Sequence, residues 1–481
     1  RCLALGRVRS SSDTYDFIHF WWQKNGEHIA TPTREPFNKG VPRMSLTWLV
    51  FLTTLAAFQV EAEALYKFTV YSNPVRLRYG QVFRAFIKGK IPEDVVSRYA
   101  DGTKIMAVAR SSIALVRFDK NGREVPVSLH DHYLHHALAW IGHSETDPPK
   151  PVLQSQLLQG RPQTIAGVSV RAIADNGSEC RGPMLDLESP FRILIAHPEV
   201  MAFRLHIINT NKADRAAARS PLIECPCAPP GKLAPDAMPK AAEGALDCHQ
   251  KLARGQQAST PCDWSTYLGG ALCCHHMGFL IDTAEECSDK NCTSEPTDVV
   301  YAKLVAYYED AEPETRDMEW ASCCDVTTTP SKGAVSEFDI PKCADGTTDE
   351  ECIFVLEAVQ PLCNVGRFGK ASDLVDIASA RPHVHFNALS LQLIDDVTGE
   401  VLCEAHNTER GDGSIRHGRG TSPGDELGLV VGLEQCSWSG KNARRYRRDH
   451  PMRSRVVYNA SQRQFGAMGI WKVMVANVKP D

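Results

Sequence analysis

A succession of short apolar segments, rich in β-branched and aromatic residues and separated by Gly, Pro, Asn and Asp, runs through the chain from residue 65 onward. Segments of this kind predict β-strands joined by turns, and long amphipathic helices with recognisable caps are scarce. We therefore predict an all-β protein built from antiparallel, jelly-roll-like sandwiches. The clearest predicted strands are Tyr66–Ser72, Lys104–Phe118, Leu134–Ile141, Phe203–Ile208 and Val299–Tyr308.

The length of the chain sets the expected number of domains. A single hydrophobic core stops growing at about 250–300 residues, whereas this chain has 481. We predict two successive β-sandwich domains, at residues 65–330 and 331–481. The apolar content of 43% is that of a folded globular protein rather than a disordered one.

Residues 222–297 interrupt the first predicted domain with a change of composition. This segment is rich in Cys, Pro and Ala and can bury little apolar surface of its own, so we predict an insertion stapled by disulfides. Zinc is an alternative, because two of the cysteines stand directly before His275 and His276. Adjacent ligands lack the Cys-X-X-Cys spacing of zinc sites, which favours disulfides. The disulfide candidates in the insertion are Cys225, Cys227, Cys273 and Cys274.

An apolar run near the N-terminus predicts secretion. The run Leu46–Phe58 follows Arg43 and precedes the small residues Ala62 and Ala64, which is the layout of a cleaved signal peptide at residues 44–64. It is too short for a comfortable membrane span, and we expect no span after cleavage. Residues 1–43 contain no methionine, and we expect them to be an unstructured upstream leader outside the mature protein.

Cysteine number and glycosylation motifs agree with a secreted or luminal protein. The chain has 17 cysteines, and only Cys2 precedes the predicted signal peptide, which leaves an even number for pairing. Two further disulfide candidates, Cys403 and Cys436, lie in the second predicted domain. The glycosylation candidates, each in an Asn-X-Ser/Thr sequence, are Asn176, Asn291 and Asn459.

The charge of the chain gives no reason to expect a nucleic-acid partner. The formal net charge is −5 at pH 7. One concentrated basic run, Lys441–Arg455, is interpreted as a solvated loop, with polyanion contact or proteolytic processing as alternatives.

Two histidines separated by one residue, His383 and His385, open a predicted strand. Successive side chains on a strand point to opposite faces, so both imidazoles project from the same face and can share one metal ion. The alternative is a pair of surface histidines on an exposed strand.

A denser group of histidines occupies residues 130–136, in the order His-Asp-His-Tyr-Leu-His-His. On a regular strand His135 and His136 point to opposite faces, so a site that uses both needs a bulge or a strand end. His206, on another predicted strand, is the third candidate for a three-imidazole site. Taken singly, each is an ordinary packed or surface histidine.

Met468 lies in a predicted strand near the C-terminus. Most methionines are core residues, and that is the default interpretation here. Beside His383 and His385, however, its soft thioether would suit Cu(I) much better than Mg, Ca or Mn.

From about Leu134 to the C-terminus, a series of short motifs occurs in a recognisable order: the His135–His136 pair, Glu224–Cys227, Gly269–Cys274, His383–His385, Glu400–Cys403, Glu426–Cys436 and Met468–Gly469 with its following strand. In these motifs the chain resembles the stress up-regulated nodulin family, which implies a secreted, stress-related protein.

The sequence is also distantly similar to copper type II, ascorbate-dependent monooxygenases, which have two successive β-sandwich domains. This resemblance implies two copper ions, ascorbate as the reductant, and hydroxylation of a substrate C–H bond with O2. The implied ligands are His135, His136 and His206 for the first copper, and His383, His385 and Met468 for the second. No residues specify a substrate, which could be a small molecule or a peptide.

Three functional hypotheses follow from the sequence. The protein is a copper-dependent monooxygenase, a copper-sequestering protein without turnover, or a non-catalytic extracellular protein whose sandwiches and disulfides serve stability or partner binding. Fold alone does not separate them.

Overall fold

The computed structural model describes most of the chain after residue 64, in the ranges 65–145, 152–159, 162–165, 168–176, 183–211, 296–321, 323–328, 338–348, 350–363, 370–408, 413–420, 425–427, 429–462 and 464–478. The predicted leader, the predicted signal peptide and nearly all of the predicted insertion lie outside these residues. So do the candidates Cys225, Cys227, Cys273, Cys274 and Asn291.

Strands dominate the described residues. Those before residue 212 are β1 (Tyr66–Tyr71), β2 (Val75–Leu77), β3 (Val82–Lys90), β4 (Met106–Phe118), β5 (Glu124–Pro126), β6 (His132–Ser144), β7 (Gln163–Ile165), β8 (Val168–Asn176), β9 (Pro183–Asp186), β10 (Phe191–Ile195) and β11 (Val200–Asn209). A short helix, α1 (Glu93–Tyr99), and a 3₁₀ turn, Ser155–Leu157, accompany them.

The strands after residue 295 continue the series. They are β12 (Asp298–Asp310), β13 (Arg316–Trp320), β14 (Phe338–Ile340), β15 (Ile353–Pro361), β16 (Leu374–Val384), β17 (Ala388–Asp395), β18 (Val401–His406), β19 (Ile415–His417), β20 (Val430–Leu433), β21 (Cys436–Ser437), β22 (Arg444–Arg447), β23 (Pro451–Asn459), β24 (Gln464–Ala467) and β25 (Gly469–Asn477). The prediction of an all-β, antiparallel fold is confirmed.

One long sheet runs through the whole described structure, in the order β1-β12-β4-β10-β13-β25-β16-β21. Its only parallel junction in that order is the short β10–β13 pair, where Phe191 lies opposite Arg316. A five-stranded sheet, β3-β11-β6-β8-β7, and a four-stranded sheet, β15-β23-β17-β18, complete the main layers.

Two large hydrophobic cores lie along this long sheet, and a smaller cluster among the described residues contains Ile105 and Leu157. The first takes most of its residues from 68–318 and includes Phe203, Leu205 and Ile207 of β11. The second takes its residues from 323–475 and includes Trp471 and Tyr458. Alternate residues of each strand turn inward, which is why the apolar and polar positions alternate in the sequence. The division into two separate domains remains a prediction.

A buried carboxylate holds β13 in place at the junction of the long sheet. Asp317 is 2% exposed, and its two oxygens accept hydrogen bonds from the guanidinium of Arg171 at 3.0 and 3.1 Å. The backbone N–H groups of Gln159 and Leu194 also donate to it. A buried charge with this many donors is compensated, and the cost of its desolvation is offset.

The basic run at 441–455 is not a solvated loop. It forms β22 and the start of β23, and β22 pairs with β16. Arg445 donates to Asp376 at 2.9 and 3.1 Å, and the buried Arg448 donates to Glu319 at 2.7 Å. Arg445 and Arg448 of this run pair with buried carboxylates from distant parts of the sequence, and Arg444 and Arg447 lie on a strand of the sheet.

Disulfides join cysteines within the described residues. Cys403 on β18 is bonded to Cys436 on β21, and two further bonds link Cys343 to Cys352 and the adjacent Cys323 and Cys324. Extracellular proteins and proteins of the secretory pathway retain such bonds, whereas cytosolic proteins rarely do. None of the helices in the described part of the chain has the length and apolar character needed to cross a membrane.

Candidate metal centre

A bulge in β6 brings His135 and His136 to one site. In the pairing of β6 with β11, His136 lies opposite His206, whereas Leu134 lies opposite Ile207, so that His135 is the extra residue. A bulge lets two consecutive side chains approach one another instead of pointing to opposite faces. The sequence prediction that these histidines need a bulge is confirmed.

The bulge brings three imidazoles together, here called the three-histidine set (His135, His136 and His206). The Nδ1 atoms of His135 and His136 are 2.7 Å apart, and the ring of His135 stacks on His206 with centroids 4.3 Å apart. One ligand atom from each of the three lies within 4.8 Å of the others. His135 and His206 are buried, whereas His136 keeps partial contact with solvent.

The second predicted pair lies at the end of a strand, not at its beginning. β16 ends at Val384, so His383 is close to its end and His385 follows it. The chain then turns through Asn387, whose φ of 64° is left-handed, a conformation that Asn tolerates better than most residues. Both imidazoles are buried, at 1% and 3% exposure.

Met468 completes this second group, here called the His-His-Met set (His383, His385 and Met468). It lies in the one-residue break between β24 and β25 and is buried. Its Sδ atom is 3.1 Å from Nε2 of His383. Gly469 permits this position, because a Cβ there would come within 2.9 Å of side-chain atoms of both Val326 and Val456.

Tyr458 connects the two chain segments that carry the His-His-Met set. Its hydroxyl accepts a hydrogen bond from the backbone N–H of His385 at 2.8 Å and donates to the backbone carbonyl of Met468 at 2.5 Å. Tyr458 is fully buried on β23. Sequence reasoning missed it, and no local pattern marks it, because its partners are 73 and 10 residues away.

The two sets adjoin one another. The rings of His136 and His383 have centroids 5.8 Å apart, and those of His135 and His385 are 5.9 Å apart. These separations are similar to the 5.4 Å between His383 and His385 within one set. All six predicted ligands therefore form one cluster between the five-stranded sheet and the β16–β25 part of the long sheet.

The environment of His136 and His206 favours neutral imidazoles. Burial lowers the pKa of His136 well below its ordinary value, and the neighbouring His135 and His383 lower it further. Burial and His135 likewise lower the pKa of His206. Nε2 of His206 is buried without a hydrogen-bond partner in the described part of the chain. A neutral imidazole with a buried, uncommitted nitrogen is in the form that binds a metal.

One ion pair lies close to the cluster and connects the sheets on its two sides. Lys472 of β25 is 2.8 Å from Asp175 of β8 and is 10% exposed. Its charge also lowers the pKa of His136. The glycosylation candidates Asn176 and Asn459 are not among the residues of the cluster. Asn176 ends β8, and Asn459 ends β23, where its side-chain oxygen accepts a hydrogen bond from the backbone N–H of Ser461.

The chemistry of the donors narrows the choice of metal. Within the described residues, no carboxylate or cysteine joins the three-histidine set at metal-binding distance. Imidazole suits Cu, Zn, Fe and Ni, a thioether adds softness that favours Cu(I), and oxygen-rich sites are needed for Mg, Ca and Mn. Imidazole and thioether ligands bring no negative charge to a metal, so a donor set made of them suits a monovalent ion in a buried site better than a divalent one.

Comparison with models of known protein families identifies the family of this chain. The family model described as Stress up-regulated Nod 19 matches residues 92–478, which is most of the sequence and nearly all of the described structure. The chain belongs to the stress up-regulated Nod 19 family. No curated protein matches it. In this nodulin-like protein the matched region contains all six predicted ligands together with Tyr458 and Gly469, and the match confirms the nodulin resemblance predicted from the sequence.

Proposed function

We propose that this stress-related nodulin-like protein binds copper through the three-histidine set and the His-His-Met set. The observation that carries the proposal is the convergence of the six side chains from four parts of the fold, namely β6, β11, the end of β16 and the break between β24 and β25, into one cluster. Nε2 of His206 is buried without a hydrogen-bond partner among the described residues, and a bound metal ion would satisfy it.

The same donors support a redox role. Copper bound there would supply one-electron chemistry, with ascorbate as the reductant and O2 as the oxidant. Residues of the chain would fix the geometry: the β6 bulge orients His135 and His136, while Tyr458 holds the segments of His385 and Met468. The partly exposed His136 provides the side from which a small molecule reaches the cluster.

In the enzymatic form of the proposal, the protein is an ascorbate-dependent monooxygenase. One atom of O2 enters a substrate C–H bond to give an alcohol, the other leaves as water, and ascorbate supplies two electrons and two protons and becomes dehydroascorbate. The protein acts in the secretory pathway or outside the cell, which its disulfides support. Copper sequestration without turnover is the second candidate, favoured by the burial of five of the six ligands.

Copper content and ascorbate-dependent O2 uptake, measured on the secreted protein, test this function. The double variant His383→Ala, His385→Ala is the comparison. His143→Ala is the matched control, because His143 lies on the same strand as His135 and His136 but its ring contacts His197, outside the cluster.

Each outcome separates the hypotheses. Bound copper with uptake that the double variant loses and the control keeps supports the enzyme. Bound copper without uptake supports sequestration. A wild-type protein that folds, as judged by circular dichroism, and retains no copper overturns the proposal and favours the non-catalytic hypothesis.

A further inference from the structure

We infer that the six ligands form one dinuclear copper centre, in which the two ions are direct neighbours, and not two separate mononuclear sites. The inference rests on the proposed copper binding and adds the arrangement of the metals. It departs from the expectation of two independent coppers, one for each sandwich.

The first step is the distance between the sets. Imidazole nitrogens bind their metal at about 2 Å, so two rings that share one ion or serve adjacent ions lie within a few ångströms of one another. His136 and His383 belong to different sets, yet their centroids are 5.8 Å apart. The corresponding distance between His136 and His206, within one set, is longer at 6.3 Å.

A second contact repeats this closeness on the other side of the cluster. His135 meets the ring of His385 edge to face, with centroids 5.9 Å apart and an interplanar angle of 87°. These two contacts between the sets involve four different rings. At these points no other part of the protein lies between the two sets of ligands.

The second step concerns how many groups of closely spaced donor atoms the cluster contains. Each such group is called a focus. The closest donor atoms occur as two pairs: Nδ1 of His135 with Nδ1 of His136 at 2.7 Å, and Nε2 of His383 with Sδ of Met468 at 3.1 Å. His206 stacks on the first pair, and His385 adjoins the second. Six soft and borderline donors are more than one Cu(I) ion uses, whereas two foci of three donors suit two ions.

The third step is the spacing that follows. Because rings of one focus contact rings of the other, the two ions can approach to the spacing of ordinary two-metal sites, about 3.5–4 Å. The partly exposed His136, which belongs to one focus and touches His383 of the other, lies at the side that faces solvent.

The test compares total copper with paramagnetic copper. Purified protein is loaded with copper, oxidised to Cu(II), and measured by metal analysis, by electron paramagnetic resonance and by X-ray absorption. We expect two coppers per chain, much less than two spins per chain because neighbouring Cu(II) ions couple, and a copper–copper scattering distance near 4 Å.

His206→Ala gives the sharpest readout. In a dinuclear centre, loss of one ion uncouples the other, so total copper falls from two to one per chain while the paramagnetic signal rises toward one. Two isolated sites predict the opposite change in the signal, a fall from two spins to one. His143→Ala, on the same sheet, is expected to leave both quantities as in the wild type.

The results distinguish this inference from the proposed function. Two coppers with two full spins and no copper–copper scattering overturn the dinuclear arrangement but leave copper binding intact. A single copper bound with ligands from both sets also overturns it. Absence of copper from correctly folded protein overturns both proposals together.

Discussion

The two ligand sets occupy opposite kinds of position in a β-protein. The three-histidine set lies in the middle of a sheet, on β6 and β11, whose backbones are paired along their whole length. The His-His-Met set lies where β16 ends and where β24 gives way to β25, so its backbone has fewer ladder hydrogen bonds. The first is fixed by regular structure and one bulge. The second depends on single contacts, above all those of Tyr458 and Gly469.

This difference predicts that substitutions near the three-histidine set destabilise the fold, whereas substitutions near the His-His-Met set mainly weaken metal binding. Strands that are paired on both sides have the highest local stability, and strand ends and turns belong to the less stable parts of a protein.

The largest effect is expected from Gly142→Ala, on the strand that carries His135 and His136. A Cβ at Gly142 would lie 1.8 Å from the carbonyl oxygen of Ser169, which is backbone and cannot move aside. We expect a loss of at least about 3 kcal/mol in the free energy of unfolding, at the upper end of overpacking effects. Gly469→Ala, which meets side chains at 2.9 Å, should cost less. Chemical denaturation of both variants measures the order, and the reverse order would contradict the comparison.

Low pH is expected to destabilise β6, the strand that carries His135 and His136, through protonation of its first residue, His132. Burial lowers the pKa of His132 to about 4, with Asp298 opposing and Arg117 adding to the shift. Between pH 6.5 and 4 the unfolded chain therefore binds a proton that the folded chain does not. The contribution of His132 to the free energy of unfolding should be fully present above pH 6.5 and fall by about 3 kcal/mol as the pH approaches 4.

His132→Gln removes this contribution. Unfolding experiments at pH 7 and pH 5 should show a smaller difference between the two pH values for the variant than for the wild type. Equal differences in both proteins would contradict the assignment to His132.

Tyr458→Phe tests the second set. The substitution leaves the N–H of His385 and the carbonyl of Met468 without their partner, at a cost of about 1–3 kcal/mol in stability. We also expect copper affinity to fall by about 10–100-fold, as for other residues that orient metal ligands. Tyr99→Phe, which removes a buried hydroxyl bonded to Asp310 in the first core, should lower stability without affecting affinity. A Tyr458 variant that binds copper normally would show that the tyrosine is structural only.

The smallest effect on stability is expected from Met468→Leu. The two side chains have similar volumes, so the cost should remain below about 1.5 kcal/mol. Met468→Leu should nevertheless weaken copper binding at the His-His-Met set, because the thioether is lost. Met474→Leu, a buried methionine on β25 away from His383, is the matched control. Titration with Cu(I) should distinguish the two, and identical affinities would exclude Met468 as a ligand.

Some features of the site could be predicted from local sequence. The His-X-His pattern requires two imidazoles on one face, and the consecutive His135 and His136 require a bulge if they serve one site. The structure of the basic run was predicted incorrectly, because a cluster of arginines is compatible with a solvated loop and also with a strand whose arginines form ion pairs. The arginines of residues 441–455 look like a solvated loop until Asp376 and Glu319 are brought beside them.

The sequence by itself determined the all-β class, the family and the identity of the six candidate ligands, because alternation, turn residues and short motifs depend only on neighbours along the chain. The tertiary structure decided that the two ligand sets form one cluster, that Tyr458 holds one of them, and that the basic run lies in a sheet. These properties depend on contacts between residues far apart in the sequence, such as His135 and His385, which are 250 positions apart (385 − 135), and the packing of two sheets settles them. Local sequence patterns identify the candidate ligands, whereas the packing of the sheets brings them into contact.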